Sequence, residues 1–220
     1  MKNRLDLFYA AGSHLFINKG YARTQMKDIA KQIGLSTGMI YQYFKSKNDL
    51  LNFILKCTIE PEYIEKDYDY PIPAELFDHL DEEIEQALQR NAEGFNQGMA
   101  DPDYTPEKMF ADAYDVIAKY GVGCLIIEHN VDDLSKLADS YQAFRQLFFK
   151  QVYQYVDRFI KEGSFRQVTD VHYTTRAIVE IMAFWGMHIM NDAFEVDKGI
   201  TQEKAKAICL DNLIHAYVVD

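Results

Sequence analysis

Residues 24–53, TQMKDIAKQIGLSTGMIYQYFKSKNDLLNF, decide how this chain folds. Met26, Ile29, Ala30 and Ile33 recur at i, i+3, i+4 and i+7, the apolar face of a helix that Thr24 is placed to cap. Gly34 stands where that helix should stop, because glycine takes the left-handed conformation of a C-terminal cap at no steric cost. Ser36 is placed to cap a second helix from Thr37 to Phe44. Ser46-Lys47-Asn48-Asp49 then fits the S-x-x-[DE] capping box ahead of an apolar run. Two short helices joined by such a turn form a helix-turn-helix, whose second helix enters a DNA major groove.

The second helix supports this by its own periodicity. At about 100° per residue, Ile40 and Phe44 share one face while Gly38 and Gln42 point the opposite way. Gly38 removes a side chain that would hold the backbone away from a duplex. Gln42 suits the N6/N7 edge of adenine, and Met39 suits a thymine methyl. Tyr41, Tyr43, Lys45 and Lys47 are expected to contact phosphates. Thr24, Ser36 and Thr37, at the helix starts, complete the candidate DNA-binding set. Gly34 to Gly38 also matches G-x-S-x-G, the nucleophile elbow of hydrolases. That elbow needs a strand before its serine, and the ten residues before Ser36 have helical periodicity, so Ser36 reads as a cap and no catalytic residue is assigned.

Residues 5–55 resemble the DNA-binding domain of the TetR family of bacterial transcriptional regulators. The resemblance rests on Ala11, Phe16, Gly20, Tyr21, Thr24, Ile29, Ala30, Gly34, Leu35, Ser36, Gly38, Tyr41, Tyr43, Phe44, Lys45, Lys47 and Leu50, and above all on the run G-x-S-x-G-x-x-Y-x-Y-F-K-x-K. Gln25-Met26 departs from it, since many members carry small hydroxyl residues there. The resemblance implies an all-α protein: an N-terminal three-helix helix-turn-helix domain, residues 1–46, followed by a larger helical ligand-binding and dimerisation domain, residues 47–220. Helix 4, about 47–60, would connect the two. It implies a double-stranded DNA operator and a small-molecule effector as partners, and a homodimer.

Charge divides the chain near the same boundary. Residues 1–59 carry nine Lys/Arg against three Asp/Glu, a net of +6, and the remainder carries −17, which together give the total of −11. A small basic domain suits counterion release from a duplex, and the acidic remainder excludes itself as a nucleic-acid surface. The three cysteines, Cys57, Cys124 and Cys209, are far apart and lack metal-ligand spacing, so they read as free thiols in a reducing cytoplasm, with no metal and no cofactor. No leader and no apolar run near 20 residues stands in the sequence, which argues against membrane insertion. Asp101-Pro-Asp-Tyr-Thr resembles part of a calcium loop, but Pro106 and Asp112 stand where an EF-hand needs Gly and Glu.

Beyond helix 4 the pattern stays helical. Residues 61–74, with three of the five prolines, read as a loop or bend. Helices are expected over 75–96, 106–119, 132–162 (with a split near Asp139), 170–194 and 201–218, and 124–129 is either helical or extended. The helix at 170–194 is apolar around most of its circumference and must be covered on more than one side. One face can meet its own domain and another a second subunit. The resemblance places the dimer's four-helix bundle at the last two helices, with the seam expected at Ile181, Met182, Trp185, Ile189, Ile208 and Leu213, and a central core helix in a monomer is the alternative. The final helix offers a stripe at Ala205, Ile208, Cys209, Leu213 and Ala216. Aromatics crowd residues 105–190. Phe110, Tyr114, Glu128, His129, Tyr141, Phe148, Trp185 and His188 are the candidate effector-binding residues, for a small, largely apolar or aromatic ligand. The expected function is a ligand-responsive regulator, most simply a repressor, that binds a palindromic operator as a dimer.

Overall fold

The structure, a computed structural model, describes residues 4–196 and 199–219. Among them the regular elements are all helical: α1 (Arg4–Asn18), α2 (Met26–Gln32), α3 (Thr37–Tyr41), α4 (Lys47–Ile59), α5 (Leu80–Asn96), α6 (Pro106–Lys119), α7 (Gly121–Glu128), α8 (Ser135–Glu162), α9 (Val171–Ala183), α10 (Ile189–Asn191) and α11 (Gln202–Tyr217). The chain packs into two units. The first comprises residues 1–87 and 122–140, the second 88–121 and 141–220.

In the first unit, α1 to α4 close around Leu5, Phe8, Phe16, Ile29, Ile40, Phe44, Leu50, Phe53 and Ile54, all essentially inaccessible. Gly12 lets α1 lie against α4, since a methyl there would meet the Ile54 side chain at 2.5 Å. The segment after α4 is more ordered than a loop. It holds 3₁₀ turns at Pro61–Glu65 and Ala74–Phe77, and it buries Tyr63, Ile72 and Phe77. The Ala74–Phe77 turn seats Phe77 against Tyr63, with ring centroids 6.4 Å apart, and α5 therefore starts at Leu80 rather than Glu75. Residues 124–128 are helical, as part of an α7 that begins earlier, at Gly121, and His129 lies in the turn that follows.

The second unit has one core. Phe95, Met109, Phe110, Tyr114, Phe148, Val152, Tyr155, Phe159, Phe165, Ile178, Met182, Cys209 and Leu213 all contribute to it. Thr105 caps α6 by accepting from the Lys108 N–H, with Pro106 at the first helical position. The long α8 runs without a break at Asp139. Extended pairing is confined, among the described residues, to Phe165 with Val218, where the chain after α11 returns to the end of α8.

The helix expected over 170–194 is not uniform. After α9 it widens into a π-helical turn, Phe184–His188, before the short α10. Two carbonyls of that turn accept side-chain hydrogen bonds: Trp185 O from the Tyr114 hydroxyl at 3.1 Å, and Gly186 O from Gln202 Nε2 at 3.3 Å. Gly186 lies against Ile117 and Ala118.

Candidate nucleic-acid interface

The helix-turn-helix begins at Gln25. Its N–H donates to the Asp28 carboxylate at 2.9 Å, which makes Gln25 rather than Thr24 the N-terminal cap of α2. Thr24 is buried, and its hydroxyl donates to Gly20 O at 2.8 Å, so the structure places it inside the corner after α1, away from solvent. Lys19 holds the Asp28 carboxyl below its usual range by hydrogen bonding to it at 2.6 Å. Gly34, with φ +70°, ends α2 as expected. The Ser36 hydroxyl accepts from the Met39 N–H and Ser46 from the Asp49 N–H, so both serines act as caps.

α3 stops at Tyr41, three residues before the expected end. The Gln42 and Tyr43 N–H groups turn back to Met39 O and Ile40 O, a tightening that brings Phe44 into the core beside Ile40. Ser36, Gly38, Tyr41, Gln42 and Lys45 are exposed, and Thr37 and Met39 are half-buried. A methyl on Gly38 would meet only the Ser36 hydroxyl, at 4.0 Å, so this face is open to a backbone from outside.

Two of the expected phosphate contacts have partners within the chain. The Tyr43 ring lies 5.1 Å from Phe8 and 4.5 Å from Tyr70, and its hydroxyl accepts from Arg4 Nη1 at 3.2 Å. The Lys47 ammonium donates to Tyr21 O at 2.7 Å and sits 3.9 Å from the centre of the Tyr21 ring. An ammonium has three protons, so Lys47 keeps donors for a further acceptor. Arg4 and Tyr70 lack any helix-turn-helix signature, and only the tertiary contact links them to α3.

The expected effector residues do not form one group. Phe110, Tyr114, Tyr141 and Phe148 are buried in the second unit, where Tyr141, Phe144 and Phe148 stack in series. Burial raises the Tyr114 hydroxyl's pKa well above its ordinary value. Trp185 and His188 lie on the π-helical turn, with His188 Nδ1 2.8 Å from Asp192. Glu128 and His129 belong to the first unit. A separate cleft of about 510 Å³ opens between α5 and α6. It is lined by Arg90, Asn91, Gly94, Phe95, Asp112, Asp115, Val116, Lys119 and Tyr120, none of them in the expected set. Its acids are engaged: Asp112 by the Tyr104 hydroxyl and Lys108, Asp115 by Lys206. Arg90 has no hydrogen bond or ion pair among the described residues, and the Lys119 ammonium lies 5.1 Å from the centre of the Tyr120 ring.

Of the expected seam residues, Met182 and Leu213 lie in the core of their own unit. They are inside because Ala205, Cys209 and Leu213 share the α11 face that is buried within the second unit. Ile181 is exposed, and Trp185, Ile189 and Ile208 are half-buried. Tyr173, Ala177, Ile181 and Phe184, spaced four, four and three apart, form an exposed, largely apolar stripe along α9 and into the π-helical turn.

No group of three or more His, Cys, Asp or Glu among the described residues could hold a metal ion. No helix among them is long and apolar enough to cross a membrane.

Comparison with known proteins agrees with this geometry. Residues 8–54 match the family model described as bacterial regulatory proteins, tetR family. The HTH-type transcriptional regulator HbdR of Aromatoleum sp. (strain CIB) is 33% identical over 76 residues, a match spanning 34% of this chain and 31% of that protein. The ketosteroid transcriptional regulator KstR2 of Mycobacterium tuberculosis superposes with a TM-score of 0.57 at 14% identity, covering 100% of this chain and 97% of that one. A protein from Saccharomonospora viridis, described as a transcriptional regulator and solved in complex with choline, gives 0.50 at 15% identity, covering 99% and 98%. The structural likenesses establish the fold, and the α2–α3 motif carries the family signature. Residues 8–54 thus form a helix-turn-helix domain of the tetR family of bacterial regulatory proteins.

Proposed function

We propose that the protein is a cytoplasmic, ligand-responsive transcriptional repressor that binds a palindromic operator as a homodimer. The observation that carries this reading is the open face of α3. Gly38 presents bare backbone there, Gln42 and Tyr41 project from the same region, and Lys45 follows. Exposed residues of these types suit base edges and phosphates. The α9 stripe through Ile181 and Phe184, with Ile208 on α11, supports an isologous seam that would present two α3 helices to two half-sites.

The effector is small, with a largely apolar or aromatic body. Phe95, Val116 and Tyr120 at the α5–α6 cleft suit such a body, and Arg90, with Lys119 beside it over the Tyr120 ring, suits an anionic end such as a carboxylate. An effector that binds the DNA-incompetent arrangement about tenfold better than the competent one supplies about 1.4 kcal/mol, enough to weaken operator binding tenfold. The test is to enrich duplexes from a random pool with the full chain, then titrate the complex with aromatic carboxylates and with aromatic amines. Enrichment of a palindrome released by carboxylates supports the reading. Failure to enrich any sequence overturns it.

A further inference from the structure

Tyr21, the residue just past the left-handed Gly20 at the end of α1, is gripped from two sides within the first unit. The buried side chain of Asn130, at the end of α7, accepts from the Tyr21 N–H at 2.5 Å and donates to Phe16 O at 2.9 Å and Ile126 O at 2.7 Å. Its orientation is fixed by chemistry, because an N–H must face the amide oxygen and two carbonyls must face the amide nitrogen. Past a left-handed cap, the N–H at the position of Tyr21 ordinarily bonds the carbonyl at the position of Phe16 directly. Here the Asn130 amide is interposed between them, so the end of α1 is completed by a residue more than a hundred positions away. The opposite end of the same residue, Tyr21 O, accepts from the Lys47 ammonium. Lys47 is the first residue of α4 and comes directly after the α3 turn.

We propose that Asn130 is a positioning residue for DNA binding: by holding the Tyr21 N–H it fixes the carbonyl that in turn aims Lys47. Asn130 touches no DNA itself. Tyr21 passes the constraint from α7 to the N-terminus of α4, and displacement of α7 releases the Lys47 side chain. A simple cap would stabilise α1 without affecting what Lys47 contributes to binding.

The proposal rests on the DNA-binding reading, and the experiment separates the two. The full chain is compared with Asn130→Ala, Lys47→Met and the double variant, using the duplex enriched by the parent as probe. Cys209→Ala, a core truncation in the second unit, serves as a stability control. Hydrogen exchange across residues 16–24 is expected to speed up at least about tenfold in Asn130→Ala, and duplex affinity to fall about tenfold at a melting temperature no lower than the control's. In the Lys47→Met background, Asn130→Ala is expected to cost less than about twofold more, because the group it positions is already gone. Losses that multiply in the double variant overturn the proposal, as does unchanged exchange at Tyr21. Should Asn130→Ala fail to fold, Asn130→Asp keeps the acceptor for Tyr21. It sets an oxygen against Phe16 O and Ile126 O and is expected to be less stable, but with the Tyr21 bond kept it retains parent-like dependence on Lys47 wherever it is folded, and loss of that dependence in the folded protein overturns the proposal. If the parent enriches no duplex, the DNA-binding reading fails and takes the proposal with it.

Discussion

The Ile72 N–H donates to Tyr43 O at 2.8 Å, so the excursion after α4 returns to brace the end of the α3 segment. The brace continues through side chains. Tyr70 lies 4.5 Å from Tyr43, Tyr68 lies 6.5 Å from Tyr70, and the Tyr68 hydroxyl donates to Tyr63 O. An aromatic pair is worth about 0.5–1.5 kcal/mol beyond its buried area. Tyr70→Ala is therefore expected to lower stability by about 1 kcal/mol in urea unfolding. A double-mutant cycle with Tyr43→Ala should show coupling of that size, and a coupling of zero would mean the stacked pair braces nothing.

Base reading and phosphate holding separate by experiment. Gln42→Ala should cost about 1–3 kcal/mol on the enriched duplex and relax preference at one base position. Lys45→Ala, on an exposed side chain, should weaken all duplexes alike and reduce the salt slope by about one. An unchanged preferred sequence in Gln42→Ala would remove Gln42 from the base-reading role.

The seam is tested at a residue that does not hold the core together. Ile181→Asp places a charge on the exposed α9 stripe, and burying it in a dimer would cost several kcal/mol. Light scattering is expected to show a monomer of unchanged helicity. A parent chain that is monomeric at micromolar concentration would refute the dimer.

Gly123 is the close approach of α7 to α4. A methyl there would stand 2.6 Å from Thr58 Oγ1 and 3.2 Å from Thr58 Cβ. Gly123→Ala is expected to cost about 1–3 kcal/mol as overpacking. Adding Thr58→Ala should recover part of that loss, and simple addition of the two costs would count against the contact.

Alkali should destabilise the protein through groups buried in their neutral form. Burial pushes Cys57 and Cys209 up to about 12 from an ordinary 9.0, and Tyr9 and Tyr155 up to about 12 from 10.0. Between those values the unfolded chain has released protons that the folded chain still holds. The stabilisation is complete below pH 9 and is lost as pH rises toward 12. Chemical unfolding measured from pH 8 upward should show stability falling from about pH 9. Cys57 and Cys209 should also resist alkylation at pH 8 until the protein is unfolded.

Much of the head is legible in the sequence because its signals are local. A left-handed Gly34, the capping serines 36 and 46, and the i, i+3, i+4 spacing of Met26, Ile29 and Ala30 each depend on residues a few positions apart. The start of α2 falls one residue from its expected place because Thr24 and Gln25 are both plausible caps, and the reach of Asp28 decides between them. The Thr24 hydroxyl suits a phosphate, but a hydroxyl also satisfies a neighbouring carbonyl, and Gly20 O is the nearer partner. The brace from Ile72 and the bridge from Asn130 leave no trace in the sequence because each joins backbone groups far apart along the chain, and an Asn or Ile carries no mark of such a role. The apolar circumference of 170–194 is visible but its meaning is not. Met182 satisfies its own core, and a change of helical pitch separates the residues before Phe184 from those after His188.

That change of pitch has a bearing on how this helix can vary in length. A π-helical turn holds one more residue than the α-helical turn it replaces, so Phe184–His188 accommodates one extra residue by bulging. Gly186 allows the bulge to lie against Ile117 and Ala118, and Tyr114 and Gln202 take up carbonyls of the turn. Removing one residue from 184–188 should restore an ordinary helix and swing Ile189–Asn191 by about 100°. In relatives of this chain, length differences at this point should therefore be accompanied by changes at Tyr114, Gly186 and Gln202.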